Sequence, residues 1–187
     1  MTPLLWVAAC LGGSGLAGVV ALVASRVRRL DRLHVRTDAA RAGLEAACLR
    51  RCTAALAVAH VLAGVATERD RADGVRTAVA GARAARATGG DREGAENVLG
   101  RRLAGVPRAL LPAPTLTDLV DAEQMVVLAR RVYNDAVRDT RELRSRRLVR
   151  WLHLAGTAPM PEYFEIADVE TAVTAAASAR PRVRPPA

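Results

Sequence analysis

Gly13, Gly15 and Gly18 spell G-x-G-x-x-G, the spacing with which a loop approaches a dinucleotide pyrophosphate at a helix N-terminus. That chemistry needs a short strand before the glycines, an amphipathic helix after them, and a second strand ending in Asp or Glu about 20 residues on. Asp38 falls at that distance, but "SRVRRLDRLHVRTD" before it does not read as a buried strand, and the residues after Gly18 are apolar all round. The nucleotide reading is rejected in favour of a membrane helix. Cys48 and Cys52 stand one helical turn apart, where two thiols can pair as metal ligands, yet no His or third Cys lies at a zinc-like spacing. They read as small buried hydrophobes. With Cys10 the chain has three cysteines, which suggests no disulfide framework.

His34, His60 and His153 are scattered, and no HExxH, phosphate-binding loop or paired-carboxylate cluster is present. Asp118, Asp121 and Glu123 make an acidic start to a helix, which suits the positive end of its dipole. No catalytic residue, metal or cofactor is expected, and the chain is not read as an enzyme. Lys and Arg total 28 against 19 Asp and Glu, a net charge of +9, and every basic residue is Arg. Nucleic acid is not an expected partner, because aromatics for base stacking make up only 3% of the chain. The Arg residues crowd instead after the apolar segment and in the tail.

The elements that position these residues begin with a charge-free stretch. No charged residue precedes Arg26, and Pro3 to Ser25 as a helix spans roughly the 30 Å of a bilayer hydrocarbon core. "VAAC" ending at Cys10 resembles a lipoprotein cleavage box, but no basic residue precedes it, so residues 1–25 read as an uncleaved signal anchor. Gly13/Ala17 and Ser14/Gly18 are small-xxx-small pairs, marking either a dimer face or tolerated lipid-facing positions. Arg26, Arg28, Arg29, Arg32 and Arg36 crowd the C-terminal flank. The positive-inside rule then puts the N-terminus outside and the rest of the chain in the cytoplasm, at the bacterial inner membrane.

The Ala-rich remainder reads as helical. Leu30, Leu33, Ala40, Leu44, Cys48, Cys52, Ala55, Ala59 and Leu62 recur at helical spacings over 26–66, with no proline to separate them from the anchor. A second helix is predicted over 69–88, with Val75, Ala78, Ala82 and Ala85 as its stripe. "TGGD" ends it, and Asp91 caps a third helix reaching about Val106, with Ala95, Val98, Leu99 and Leu103 turned inward. After the proline-marked "VPRALLPAP", Thr115 and Asp118 resemble a capping box. The fourth helix carries Leu119, Val126, Ala129, Tyr133, Ala136, Val137, Thr140 and Leu143 to about Trp151. The expected fold is all-α: a single transmembrane helix followed by an elongated antiparallel bundle of three to four helices over 26–166. A short helix and a disordered basic tail are expected over 167–187.

In such a bundle the fourth helix returns toward the membrane. Its Arg141, Arg144, Arg146, Arg147, Arg150 and Trp151 would then lie near anionic headgroups, unless they form only a solvated basic face.

"ARRVYNDAVRDTRELRSRRLVRWLHLAGTAPMPEYFE", residues 129–165, resembles the LemA family of bacterial membrane proteins through Arg131, Tyr133, Asn134 and Val137, then Tyr163, Phe164 and Glu165. "RLDRLHVRTDAARAGLEAACLRRC" is similar to that family's first cytoplasmic helix, with Leu49, Arg50 and Arg51 at its basic signature, and "ENVLGRRL" to the segment before its last long helix. After Arg51 the family has an acidic residue and a Leu-Ile-Pro-Asn stretch, where this chain has "CTAALAVAHVL". The resemblance implies an N-out anchor and a helical cytoplasmic domain, and supplies no reaction. On their own chemistry, Tyr133 belongs to the core stripe with a hydroxyl that needs a partner, and Asn134 suits a hydrogen bond to a neighbouring helix. The expected role is a scaffold at the inner membrane face, with lipids, a second copy or another protein as partners. The alternatives are an adaptor that recruits an enzyme or envelope-stress partner, and an enzyme with an unrecognised site.

Overall fold

The computed structural model describes residues 2–145 and 159–166. It has four α-helices, α1 (Thr2–Ala63), α2 (Arg69–Thr88), α3 (Arg92–Ala104) and α4 (Ala113–Ser145), with short 3-10 turns at Ala66–Glu68 and Arg108–Leu110. Among the described residues there is no strand. The predicted tail helix and the end of the fourth helix beyond Ser145 lie outside the described residues.

The apolar segment and the helix predicted after it form one element. Pro3 sits in the first turn of α1, where a missing N–H costs nothing, and no later residue of the helix is a proline. Gly13, Gly15 and Gly18 lie inside this helix with no atom near enough to touch an added Cβ, so they form no phosphate loop. Leu16, Val19 and Val20 on the same stretch are more than half exposed. Among the described residues α1 is the one helix long and apolar enough to cross a membrane.

The chain divides into two compact units. The first takes the N-terminal part of α1 up to Arg41, together with Val132 to Tyr163. There Leu30 and Leu143 are buried against Leu33. Thr37 and Thr140, also buried, share a hydrogen bond of 3.0 Å, and Thr37 is 2.9 Å from the Leu33 carbonyl. Arg36 pairs with Asp139 at 2.8 Å.

The second unit takes Ala42 to Arg131 and, among the described residues that follow, 164–166. Its core joins Ala55, Val58, Ala59 and Leu62 of α1 to Val75 and Val79 of α2, Leu99 and Leu103 of α3, and Leu119 and Ala122 of α4. The boundaries of α2 match the prediction. Gly89 takes a φ of 69° after its last turn, the left-handed conformation that ends helices, and the Gly90 N–H closes on the Ala85 carbonyl at 3.0 Å. Asp91 then accepts a hydrogen bond from the Gly94 N–H at 2.8 Å. A side chain at 94 would collide with that carboxylate. Asp91→Ala is expected to cost about 1 kcal/mol in a urea melt; an unchanged midpoint would remove the cap from the account.

Two predicted details are corrected. Val98 does not turn inward: it is 38% exposed, while Glu96 is 7% exposed. The inward stripe of α3 is therefore Glu96, Leu99 and Leu103, spaced three and four apart. Thr115 and Asp118 do not cap α4 either, because the helix starts earlier, at Ala113, where the Leu116 N–H reaches the Pro112 carbonyl at 3.0 Å. Pro114 fits that first turn, where the backbone N–H has no helical acceptor. The acidic residues consequently fall beyond the first turn. Glu123 receives Arg108 through both carboxylate oxygens, at 3.0 and 3.2 Å.

Candidate functional site

In the second unit, α1 presents Glu45, Cys48, Arg51 and Cys52 at three- and four-residue spacings, so they share one side of the helix. Arg51 meets Glu96 of α3 inside the core, with side chains only 5% and 9% exposed. Nη2 of Arg51 donates to the Glu96 carboxylate and, at 3.3 Å, to its carbonyl. Nε of Arg51 is buried with no hydrogen-bond partner. Glu45 holds two guanidiniums, Arg86 of α2 at 2.9 Å and Arg92 of α3 at 3.3 Å. Arg92 also lies over the Phe164 ring, 5.7 Å from its centroid, and the Glu165 N–H donates to Glu93 at 2.9 Å. The first turn of α3 thus holds the Phe164 ring and the Glu165 backbone.

Cys48 and Cys52 are both buried and unbridged. They line one narrow cleft with Glu96, Arg83, Arg86 and Arg92. Burial, reinforced by the charge of Glu96, pushes the Cys48 thiol up to about 12, and the same causes raise Cys52. Both thiols are therefore protonated at neutral pH and poor nucleophiles. The cleft measures about 10 Å³, room for one water. A more open groove of about 290 Å³ runs between α2 and α3, lined by Gly74, Ala78, Gly81, Ala95, Val98 and Arg102. Among the described residues no group of three or more His, Cys, Asp or Glu is placed to hold a metal.

In the first unit, Tyr133 of α4 is buried, and its hydroxyl donates to the Glu162 carbonyl at 2.9 Å while Arg41 of α1 approaches it at 3.4 Å. Arg141 donates to the Pro161 carbonyl at 3.1 Å, and Arg144 to the Pro159 carbonyl at 2.9 Å. Arg141 also lies over the Tyr163 ring, 5.4 Å from its centroid. Three side chains of α4 thereby hold the backbone of residues 159–162, and Arg141 also holds the Tyr163 ring. Tyr133→Phe keeps the ring and is expected to cost about 1 kcal/mol. A urea midpoint equal to the parent's would contradict this role.

Of the residues singled out in the sequence, Arg51, Tyr133 and Phe164 are buried, Asn134 is half-buried, and Arg50 and Tyr163 are exposed. Arg141 and Arg144 make the carbonyl contacts above, while Arg146, Arg147, Arg150 and Trp151 lie outside the described residues. Sequence reasoning missed Glu96 and Glu45. The signal available was spacing: Glu96 stands three and seven residues before Leu99 and Leu103, and Glu45 three and seven before Cys48 and Cys52.

Comparison with known proteins found no matching family model, no matching curated protein and no matching solved structure.

Proposed function

We propose that this chain is a single-pass membrane protein whose helical domain works by interaction, as a scaffold at the cytoplasmic face, without catalysis. The observation that carries this reading is the charge-free, solvent-facing stretch of α1, with Leu16, Val19 and Val20 exposed, directly before an Arg-rich flank. The domain is an antiparallel bundle; in the first unit, pairings run from Leu30 with Leu143 to Arg41 with Tyr133, which supports it. The chain is a divergent LemA-like protein on this reading, which rests on the resemblance at Arg131, Tyr133, Asn134 and Val137 and at Tyr163, Phe164 and Glu165.

Fusing reporters to the C-terminus, one active only in the cytoplasm and one only outside, tests the orientation. Washing the membranes with alkaline carbonate tests the anchor. Retention with a cytoplasmic C-terminus is the expected result. A protein released by carbonate would remove the anchor, and an external C-terminus would invert the account.

Lipid contact belongs to the same reading. Arg141 is exposed and spends part of its five-donor guanidinium on the Pro161 carbonyl, leaving donors for headgroups. Replacing Arg141, Arg144, Arg146, Arg147 and Arg150 by Gln is expected to abolish any stabilisation of the full chain in anionic over zwitterionic nanodiscs. An undiminished difference in melting temperature would sink the lipid role.

A further inference from the structure

We propose that Cys48 and Cys52 form a two-coordinate site for one soft monovalent cation, copper(I) in chemical class. The two thiols lie one turn apart on α1, where Cβ atoms are about 5–6 Å from each other. Both are in the core, 4% and 2% exposed, and both open onto the same narrow cleft. That cleft is narrow, with about 10 Å³ of space, enough for one ion.

The neighbouring groups narrow the choice of ion. The carboxylate of Glu96 is taken by Arg51, and that of Glu45 by Arg86 and Arg92. No third donor completes a set among the described residues. Zinc in a structural site requires four ligands and calcium requires oxygen. Thiolates are soft and select copper(I) among common ions, and a monovalent d10 ion is satisfied by two of them.

Charge supports the same class. Binding replaces two S–H bonds by two S–Cu bonds: Cu⁺ and two neutral thiols give one bis-thiolate anion and release two protons. The resulting negative charge sits among Arg51, Arg83, Arg86 and Arg92, four guanidiniums that act on the thiols or line their cleft, against the two carboxylates of Glu45 and Glu96. Arg51 acts on both thiols as one of these charges. Without the ion the pair is a neutral, shielded dithiol that fits an apolar core. The inference stands independently of membrane anchoring.

The test uses the full chain, purified with or without detergent as it requires, carrying Cys10→Ser, which removes the third thiol. Copper(I) is offered under reductant from a coloured bicinchoninate complex. One ion per chain is expected to be withdrawn, with two protons released per ion in weakly buffered solution. Cys48→Ala or Cys52→Ala is expected to weaken this at least 100-fold. No withdrawal, or withdrawal untouched by either substitution, would overturn the proposal. X-ray absorption of the loaded protein needs no folded variant: two sulfur neighbours are expected, and nitrogen, oxygen or a third sulfur would overturn it.

Discussion

Glu96→Ala is expected to destabilise the protein by about 3–5 kcal/mol, because it leaves the Arg51 guanidinium charged and unpaired inside the core. The pair is nearly sealed from water, with side chains 5% and 9% exposed, and the partner lies 45 residues away on another helix. Arg51→Ala should cost a similar amount by stranding the carboxylate. Replacing both, as Arg51→Met with Glu96→Leu, is expected to recover most of the loss, since apolar pairs of similar volume substitute well for buried ion pairs. Urea melts of the two single variants and the double decide the matter. A Glu96→Ala midpoint equal to the parent's would show that the pair is solvated.

The second large effect is alkaline. The Cys48 thiol is pushed up from 9.0 to about 12, first by burial and then by Glu96. Above pH 9 the unfolded thiol ionises while the native one keeps its proton, so the unfolded state binds fewer protons and gains in population. This stability is fully present below pH 9 and is lost as pH rises toward 12. The loss is about 1.4 kcal/mol for each pH unit in that window. Cys52 acts in the same direction. Replacing both by Ala is expected to flatten the fall in urea midpoint between pH 9 and 11. A parallel fall in parent and variant would show that other groups govern alkaline unfolding.

The helices were legible in the sequence because several independent signals agreed. "TGGD" placed the end of α2 and Asp91 the start of α3, since each depends on chemistry within four residues. The stripe of α4 from Leu119 to Leu143 followed from spacing alone, with Ala122 as an addition. The inward face of α3 was misjudged because Ala95, Val98 and Leu99 form an apolar cluster that pulls the apparent face away from Glu96. A buried carboxylate looks polar in sequence, and its warrant, Arg51, is distant along the chain. The early start of α4 was hidden because Thr115 and Asp118 imitate a cap, while Pro112 and Pro114 look like a linker. The residues resembling the LemA signature were visible, but not their work of holding residues 159–163 and Phe164, which depends on contacts 15 to 72 residues apart.

The unbroken course of α1 through the first unit has a consequence for phase. Each residue of a helix turns the chain by about 100° and advances it about 1.5 Å. From Gly13 to Thr37 no proline interrupts this count. The azimuth of the small-residue face at Gly13, Ser14, Ala17 and Gly18 is therefore geared to that of Arg36 and Thr37. One residue inserted near Arg26 would swing the two faces by about 100°, while seven would return them almost to phase. Insertions of different length in this short stretch thus act as a dial, separating any property set by the angle between the two faces from one set only by their distance.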